Sequence, residues 1–358
     1  MKVVSFTVAP CVMGNAGAEW KTAIGTRTGR EAWLVSFRAD DGTVGYGYAP
    51  ATTHLGSTWK GVEADLNLLA PLVVGKDPFD IEPILTALDH RLTGAPAAKG
   101  GIDCALHDLM ANHLEVPLYK LLGGKFRESV PILRILATKK PDKMADDAAG
   151  LVAQGYRALK VKVDGDVETD VARVKAVRER VGPNIALTID ANESYTTKNA
   201  ILAITRMVEH GIALVEQPVK AQDLKGLKLV TESVPVNIEA DESAMSVEDV
   251  NRLIGERIVD AISLRLPNLG GLRRTLAVAR MCEAAAIDYR MGAAVGSRLL
   301  AAQSIHLAVG LPNLTFACEL GEFDRLTNDP FRGIEIENGT LRLPDGVGSG
   351  VTYTAPKD

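Results

Sequence analysis

The sequence is poor in the features that mark disulfide-stapled, nucleic-acid-binding or membrane proteins. Four cysteines serve 358 residues, and Cys11, Cys104, Cys282 and Cys318 lie far apart with no C-x-x-C pair. That argues against a disulfide framework or a cysteine-built zinc site and for reduced, structural thiols. Positive charge is not in excess either. Lys and Arg number 40 against 45 Asp and Glu, a net charge of −5, and they are spread along the chain. Nucleic acid and anionic membranes are thereby disfavoured as partners. No apolar run approaches the roughly 20 residues that span a bilayer. The opening MKVVSFTVAPCV has too short an apolar core, and no cleavage pattern, for a signal peptide. A cytoplasmic protein is expected.

What is present is ordinary globular composition, 46% hydrophobic and 24% charged, in a chain long enough for one large α/β barrel or two domains. Residues 3–10 alternate like a strand, and 31–49 read as a hairpin turning at Asp40-Asp41-Gly42. In AKGGIDCALHDLMANHLEVPLYKLLGG, Ile102, Ala105, Leu106, Leu109 and Met110 recur at helical spacing before Gly123-Gly124. The first part is therefore α+β. From residue 130 the texture changes to eight short β-rich runs: VPILRILA, ALKVKV, ALTIDAN, ALVEQPV, VNIEADES, DAISLRL, IDYRMGA and LTFACELG. Their starts lie 23 to 28 residues apart, which suits βα units, and eight such units close a barrel. GIEIENGTLRLPDGVG reads as a hairpin about Asn338-Gly339. The expected organisation is an α+β domain over 1–125, a barrel over 126–325 and a segment over 326–358 returning to the first domain.

Three runs end in acids: Asp190 in LTIDAN, Glu216 in LVEQP and Asp241 in EADES, spaced by 26 and 25 residues. One βα unit between each places them at the C-terminal ends of successive strands, where active sites of barrels are built. Three converging carboxylates repel one another unless a hard cation holds them, and an all-oxygen set suits Mg²⁺ or Mn²⁺. Asn192, Glu193, Glu239 and Glu242 are further oxygen donors nearby. The preceding strand carries Lys160 and Lys162 in ALKVKV, two apart and so on one face, pointing into the same mouth. Desolvation and a nearby cation would depress a lysine pKa towards that of a general base.

These residues, taken in order, resemble the enolase superfamily in its branch of muconate-lactonizing enzymes and related epimerases. The resemblance spans nearly the whole chain: AKGGIDCALHDL, KVK, DAN, EQP, ADES and the glycine pair after the sixth run. It implies a modified TIM barrel, (β/α)₇β, beneath an α+β capping domain. It also implies that Asp190, Glu216 and Asp241 bind Mg²⁺ and that Lys162 is the acid/base, with Lys160 beside it on the carboxylate side. The reaction implied is removal of the α-proton of a small carboxylate to form an enediolate. Glu319 in ACELGE matches an acidic position at the substrate carboxylate. A homo-oligomer is expected, and His107 and His306 read as structural.

One position departs from the pattern. The branch usually has a second lysine on the sixth strand, and DAISLRLPNLGG has Arg265 there, with Asn268 three residues on. Arginine stays protonated, so it is a fixed cation and anion ligand rather than a base. A His-Asp dyad of the mandelate racemase kind is also missing, because IDYRMGAAVG holds no histidine. The expectation is one-base chemistry: β-elimination (dehydration) or cycloisomerisation. A racemase or epimerase of an amino acid or its derivative is the alternative, and a metal-binding pseudoenzyme or structural interaction protein stands outside that class. Trp20 and His54, on capping-domain loops, and Met291, on the seventh run, are candidates for substrate contact.

Overall fold

In a computed structural model that describes residues 1–16, 20–22, 25–27, 29–292 and 295–354, the alternating N-terminal run forms β1 (Val3–Asn15). A short ribbon of β2 (Trp20–Thr22) and β3 (Gly25–Arg27) leads into β4 (Gly29–Ala39) and β5 (Val44–Pro50). Strand β4 pairs antiparallel with both β1 and β5, through the Asp40–Gly42 turn read from the sequence. Three helices follow: α1 (Trp59–Leu69), α2 (Ile81–Arg91) and α3 (Pro96–His113). The buried helix α3 lies against the sheet so closely that a Cβ on Gly47 would stand 1.8 Å from the Gly101 carbonyl oxygen. That contact accounts for Gly47; within AKGGIDCAL, a Cβ on Gly101 would stand 3.1 Å from Ala49 Cβ on the sheet and one on Gly100 would stand 3.1 Å from Gly271 N.

The barrel opens with β6 (Ser129–Pro131) and β7 (Leu133–Leu136), then α4 (Pro141–Ala153), β8 (Ala158–Lys162), α5 (Val167–Val181), β9 (Ala186–Asp190) and α6 (Thr197–Met207). It continues with β10 (Ile212–Glu216), α7 (Leu224–Ser233), β11 (Asn237–Ala240), α8 (Val247–Gly255), β12 (Ala261–Leu264) and the short α9 (Leu266–Leu269). Helix α10 (Leu272–Ala285), β13 (Asp288–Met291) and α11 (Arg298–Ala308) complete the repeats. Polar side chains start several helices: Asp166, Thr196, Asp223 and Ser246 each accept from the backbone N–H three residues on.

Strands β7 to β13 form one parallel sheet in sequence order. The eighth run is not a continuous strand. It bridges Leu314 to Tyr289 on one side and Cys318 to Ile132 on the other, which joins the two edges. Cys318 N–H donates to Pro131 O at 2.9 Å, and Leu133 N–H donates to Cys318 O at 3.0 Å. After this run the chain passes through a 3₁₀ turn at Glu322–Arg325 into β14 (Leu326–Thr327), with no helix between, as (β/α)₇β requires.

The terminal hairpin corrects one expectation. After β15 (Phe331–Arg332), strand β16 (Ile336–Glu337) pairs with β17 (Thr340–Arg342), and β17 pairs with β6 and not with the capping sheet. The reason is an available edge: β6 extends the first barrel strand downward, and Leu341 opposite Val130 is fully buried there. Flanking pieces make the return to the first domain. Strand β14 pairs with β1, and Phe331 and Tyr353, the latter in β18 (Thr352–Tyr353), pack on the Tyr46 ring. No helix among the described residues is long and apolar enough to cross a membrane.

Candidate active site

Parallel pairing sets the site. Lys162 is opposite Asp190, Asp190 opposite Glu216, and Glu216 opposite Glu239. Partners in register share a face, so four charged side chains form a row across β8 to β11 inside the barrel mouth. Asp241, two residues past Glu239, continues on that face. Leu159 and Val161 point outward into the apolar core, which is what leaves Lys160 and Lys162 inside.

The basic groups interleave with the acids. Lys160 Nζ lies 2.7 Å from Glu216 Oε2, 3.0 Å from Asp190 Oδ2 and 2.5 Å from Glu319 Oε1. Lys162 pairs with Asp190 and donates to Asn192 Oδ1 at 2.6 Å. Arg265 pairs with Asp241 and lies 3.4 Å from Glu216 Oε1. Arg290 joins Glu319, Glu216 Oε2 at 2.7 Å and Glu239 Oε2 at 2.6 Å. Asn192 passes the contact on by donating to Glu242 Oε1 at 3.0 Å.

Burial and charge pull the acids apart. Burial alone would raise Glu216, but Lys160, with Arg290 and Arg265, holds it down to about 2. Glu319 is likewise held at about 2, mainly by Arg290 and Lys160. Burial wins at the other end of the row. It pushes Glu239 up to about 8 despite Arg290, and it pushes Glu242 up to about 7 with help from the Asp190 charge. Asp241 is raised well above the usual carboxylate range, by burial against the pull of Arg265. Lys160 is held by its neighbours in the direction opposite to burial. Burial lowers its pKa, but the carboxylates of Asp190, Glu216 and Glu319 together raise it above the ordinary lysine value.

Six carboxyl groups, Asp190, Glu216, Glu239, Asp241, Glu242 and Glu319, thus face the four cations Lys160, Lys162, Arg265 and Arg290. Fully ionised, the cluster carries two excess negative charges in a buried setting, which a divalent cation would balance. Oxygens suited to it are present: Asp241 Oδ1, Glu239 Oε1 and Glu242 Oε2 are buried without a hydrogen-bond partner. As they stand, no three acids among the described residues converge on a common point, because Lys162 and Arg265 sit between them. The donor set and charge fit a hard divalent ion once those two side chains yield.

The remaining expected residues are placed as follows. Glu319 is 2% exposed and tied to Lys160 and Arg290, an interior ion pair with Oε2 left without a partner. Asn268, in α9, is buried, and its amide meets Met245 Sδ at 3.3 Å. Met291 is corrected: alternation along β13 turns Arg290 inward and Met291 outward, into the apolar core. His54 is exposed in the capping-domain turn Thr53–Leu55. Trp20 is placed by its backbone alone, in β2, and its side chain lies outside the described residues.

Two residues were missed. Arg290 is a lone charge between Tyr289 and Met291, a signal of the same kind as KVK. Gln217 lies fully buried at φ +37, and its Oε1 accepts from the backbone N–H of Asp241 and of Ser243, both at 3.0 Å. It fixes the turn that carries Asp241, and nothing in EQP announces that.

Comparison with known proteins shows the family. Residues 7–123 match the family described as "Mandelate racemase / muconate lactonizing enzyme, N-terminal domain", and residues 143–357 match "Enolase C-terminal domain-like". The chain belongs to the mandelate racemase/muconate lactonizing enzyme family of the enolase superfamily. Within this family it is 36% identical over 334 residues to the hydrophobic dipeptide epimerase of Enterococcus faecalis, covering 92% of this chain and 94% of that one. It is 34% identical over 338 residues to chloromuconate cycloisomerase CbnB of Cupriavidus necator, covering 91% and 90%. The crystal structure of the Enterococcus faecalis V583 dipeptide epimerase, complexed with Mg and L-Leu-L-Tyr, superposes with a TM-score of 0.95 at 35% identity, covering 99% of this chain and all of that one. The chain is an enolase-superfamily enzyme, and its named relatives are isomerases.

Proposed function

We propose that Asp190, Glu216 and Asp241 hold Mg²⁺, with Mn²⁺ as a substitute, and that Lys162 removes the α-proton of a small carboxylate substrate. Support comes from the row of acids across successive strands in the barrel mouth and the partnerless Asp241 Oδ1, and from the Mg in the complex of the E. faecalis relative. The ion would supply electrostatic stabilisation for negative charge moving onto the substrate carboxylate. Lys162 accepts the proton on Nζ and carries it as an ammonium, steadied by Asp190 and by Asn192 Oδ1. Lys160, protonated throughout, faces the substrate carboxylate as a fixed positive charge.

Arg265 carries the reading of reaction type. Because a guanidinium does not exchange its proton at ordinary pH, one face of the substrate has a base and the other has a permanent cation. A single lysine serves β-elimination or cycloisomerisation, since the proton it takes can be returned on the same side, to a leaving group or to a neighbouring carbon. Epimerisation needs a donor on the second face. It remains a second reading because the relatives include a dipeptide epimerase, and it would require water or another group on the Arg265 side. A cytoplasmic setting and a homo-oligomer complete the proposal; light scattering on the purified protein checks the oligomer.

The test is incubation of enzyme, Mg²⁺ and an acid library, dipeptides and muconates included, in D₂O with NMR detection. Elimination or ring closure without inversion at Cα supports the one-base reading. Deuterium entering with inversion replaces it with the epimerase reading, and no Cα exchange on any acid, with Mg²⁺ bound, favours a pseudoenzyme.

A further inference from the structure

Arg265 has a second consequence, which concerns the metal rather than the proton. Its Nη2 donates to Asp241 and lies within reach of Glu216, two of the three carboxylates assigned above to the ion. Its Nε is buried and has no protein partner. The neighbouring strand is shaped around its stem: a Cβ on Gly292 would stand 3.3 Å from Arg265 Cγ and 1.9 Å from Ser263 Oγ. The acids thus hold the arginine at its head, and Gly292, which Ser263 requires to be glycine, lies beside its stem.

A lysine at this position could leave the acids by shedding its proton as a divalent ion entered. A guanidinium keeps its charge, so it must move as a cation. We propose that Arg265 is a built-in competitor for the divalent ion: it occupies oxygens of Asp241 and Glu216 that the ion would need, and the metal affinity of this chain is set by the cost of displacing it. Lys162 pairs with Asp190 on the opposite side. The inference rests on the assignment of Asp190, Glu216 and Asp241 as ligands, and it gives this chain weaker metal binding than its own site would have without the guanidinium.

The test uses Mn²⁺ as the probe, with titration calorimetry and the electron paramagnetic resonance signal of free Mn²⁺ on the whole purified protein. Arg265→Met and Arg265→Gln remove the charge by two different shapes, and Arg265→Lys restores a cation that can deprotonate. Both neutral variants are expected to bind Mn²⁺ about tenfold more tightly, the worth of roughly one charge-assisted hydrogen bond, and Arg265→Lys is expected to fall between. Metal-free thermal stability is expected to drop in the neutral variants and to be regained with Mn²⁺. Unchanged or weaker Mn²⁺ affinity in both neutral variants, folded by circular dichroism, overturns the proposal and leaves the metal site standing. Absence of Mn²⁺ binding in the wild type and every variant overturns the ligand assignment and the proposal with it.

Discussion

At the scale of single residues, the site divides into groups that move protons and groups that hold charge still. On the proposed function Lys162 belongs to the first kind, so Lys162→Met should cut α-proton exchange by about a thousandfold with the fold intact, as measured by deuterium incorporation. Arg290 belongs to the second. It is fully buried against Glu216, Glu239 and Glu319, so Arg290→Met leaves buried carboxylates uncompensated. That should lower the unfolding free energy by about 3–5 kcal/mol, read from urea unfolding in the absence of metal. The lysines and the three acids were legible because strand alternation and the βα interval determine which side chains meet. Arg290 obeys the same rule and could have been found with it. Gln217 could not, since its function depends on a left-handed backbone at one position, and no side-chain pattern reports that.

At the scale of elements, the short β-rich runs were legible because strands buried on both faces are nearly continuous in apolar residues, and polar caps mark the helices between them. The terminal hairpin was misplaced because its sequence specifies a turn and two short strands but not the edge they join; the free flank of β6 decides that. Helix α11 carries a pH response. His306 is buried there, stacks on Tyr119, and accepts from the Tyr119 N–H at Nδ1, 3.2 Å away, which requires that nitrogen to be unprotonated. Burial pushes its pKa down to about 4 from an ordinary 6.5. The unfolded chain therefore binds the extra proton first as pH falls. The stabilisation from neutral His306 is complete above pH 6.5 and lost progressively towards pH 4, at most about 3 kcal/mol. Thermal unfolding from pH 7 to pH 4.5 should show a steeper loss for the wild type than for His306→Gln.

At the scale of the whole molecule, the proposed ion, bound by acids from three successive strands, would stabilise the barrel, because the unfolded chain holds no such site. Mg²⁺ at a hundred times its dissociation constant should add about 2.7 kcal/mol, seen as a raised Tm, and Asp190→Asn or Glu216→Gln should abolish the rise. The barrel itself is joined where the eighth run meets β7 and β13, through Cys318, Leu133 and Glu319. The chain must travel from Leu133 to Cys318 before that seam can form, so the edge of β7 waits for the last repeat while neighbouring strands pair locally. Folding of this barrel therefore ends at its beginning. In a pulse-labelled refolding experiment, amides of β8 to β11 should gain protection first and those of Leu133, Cys318 and Glu319 last, and the row of charges in the mouth reaches its final neighbours only when that seam shuts.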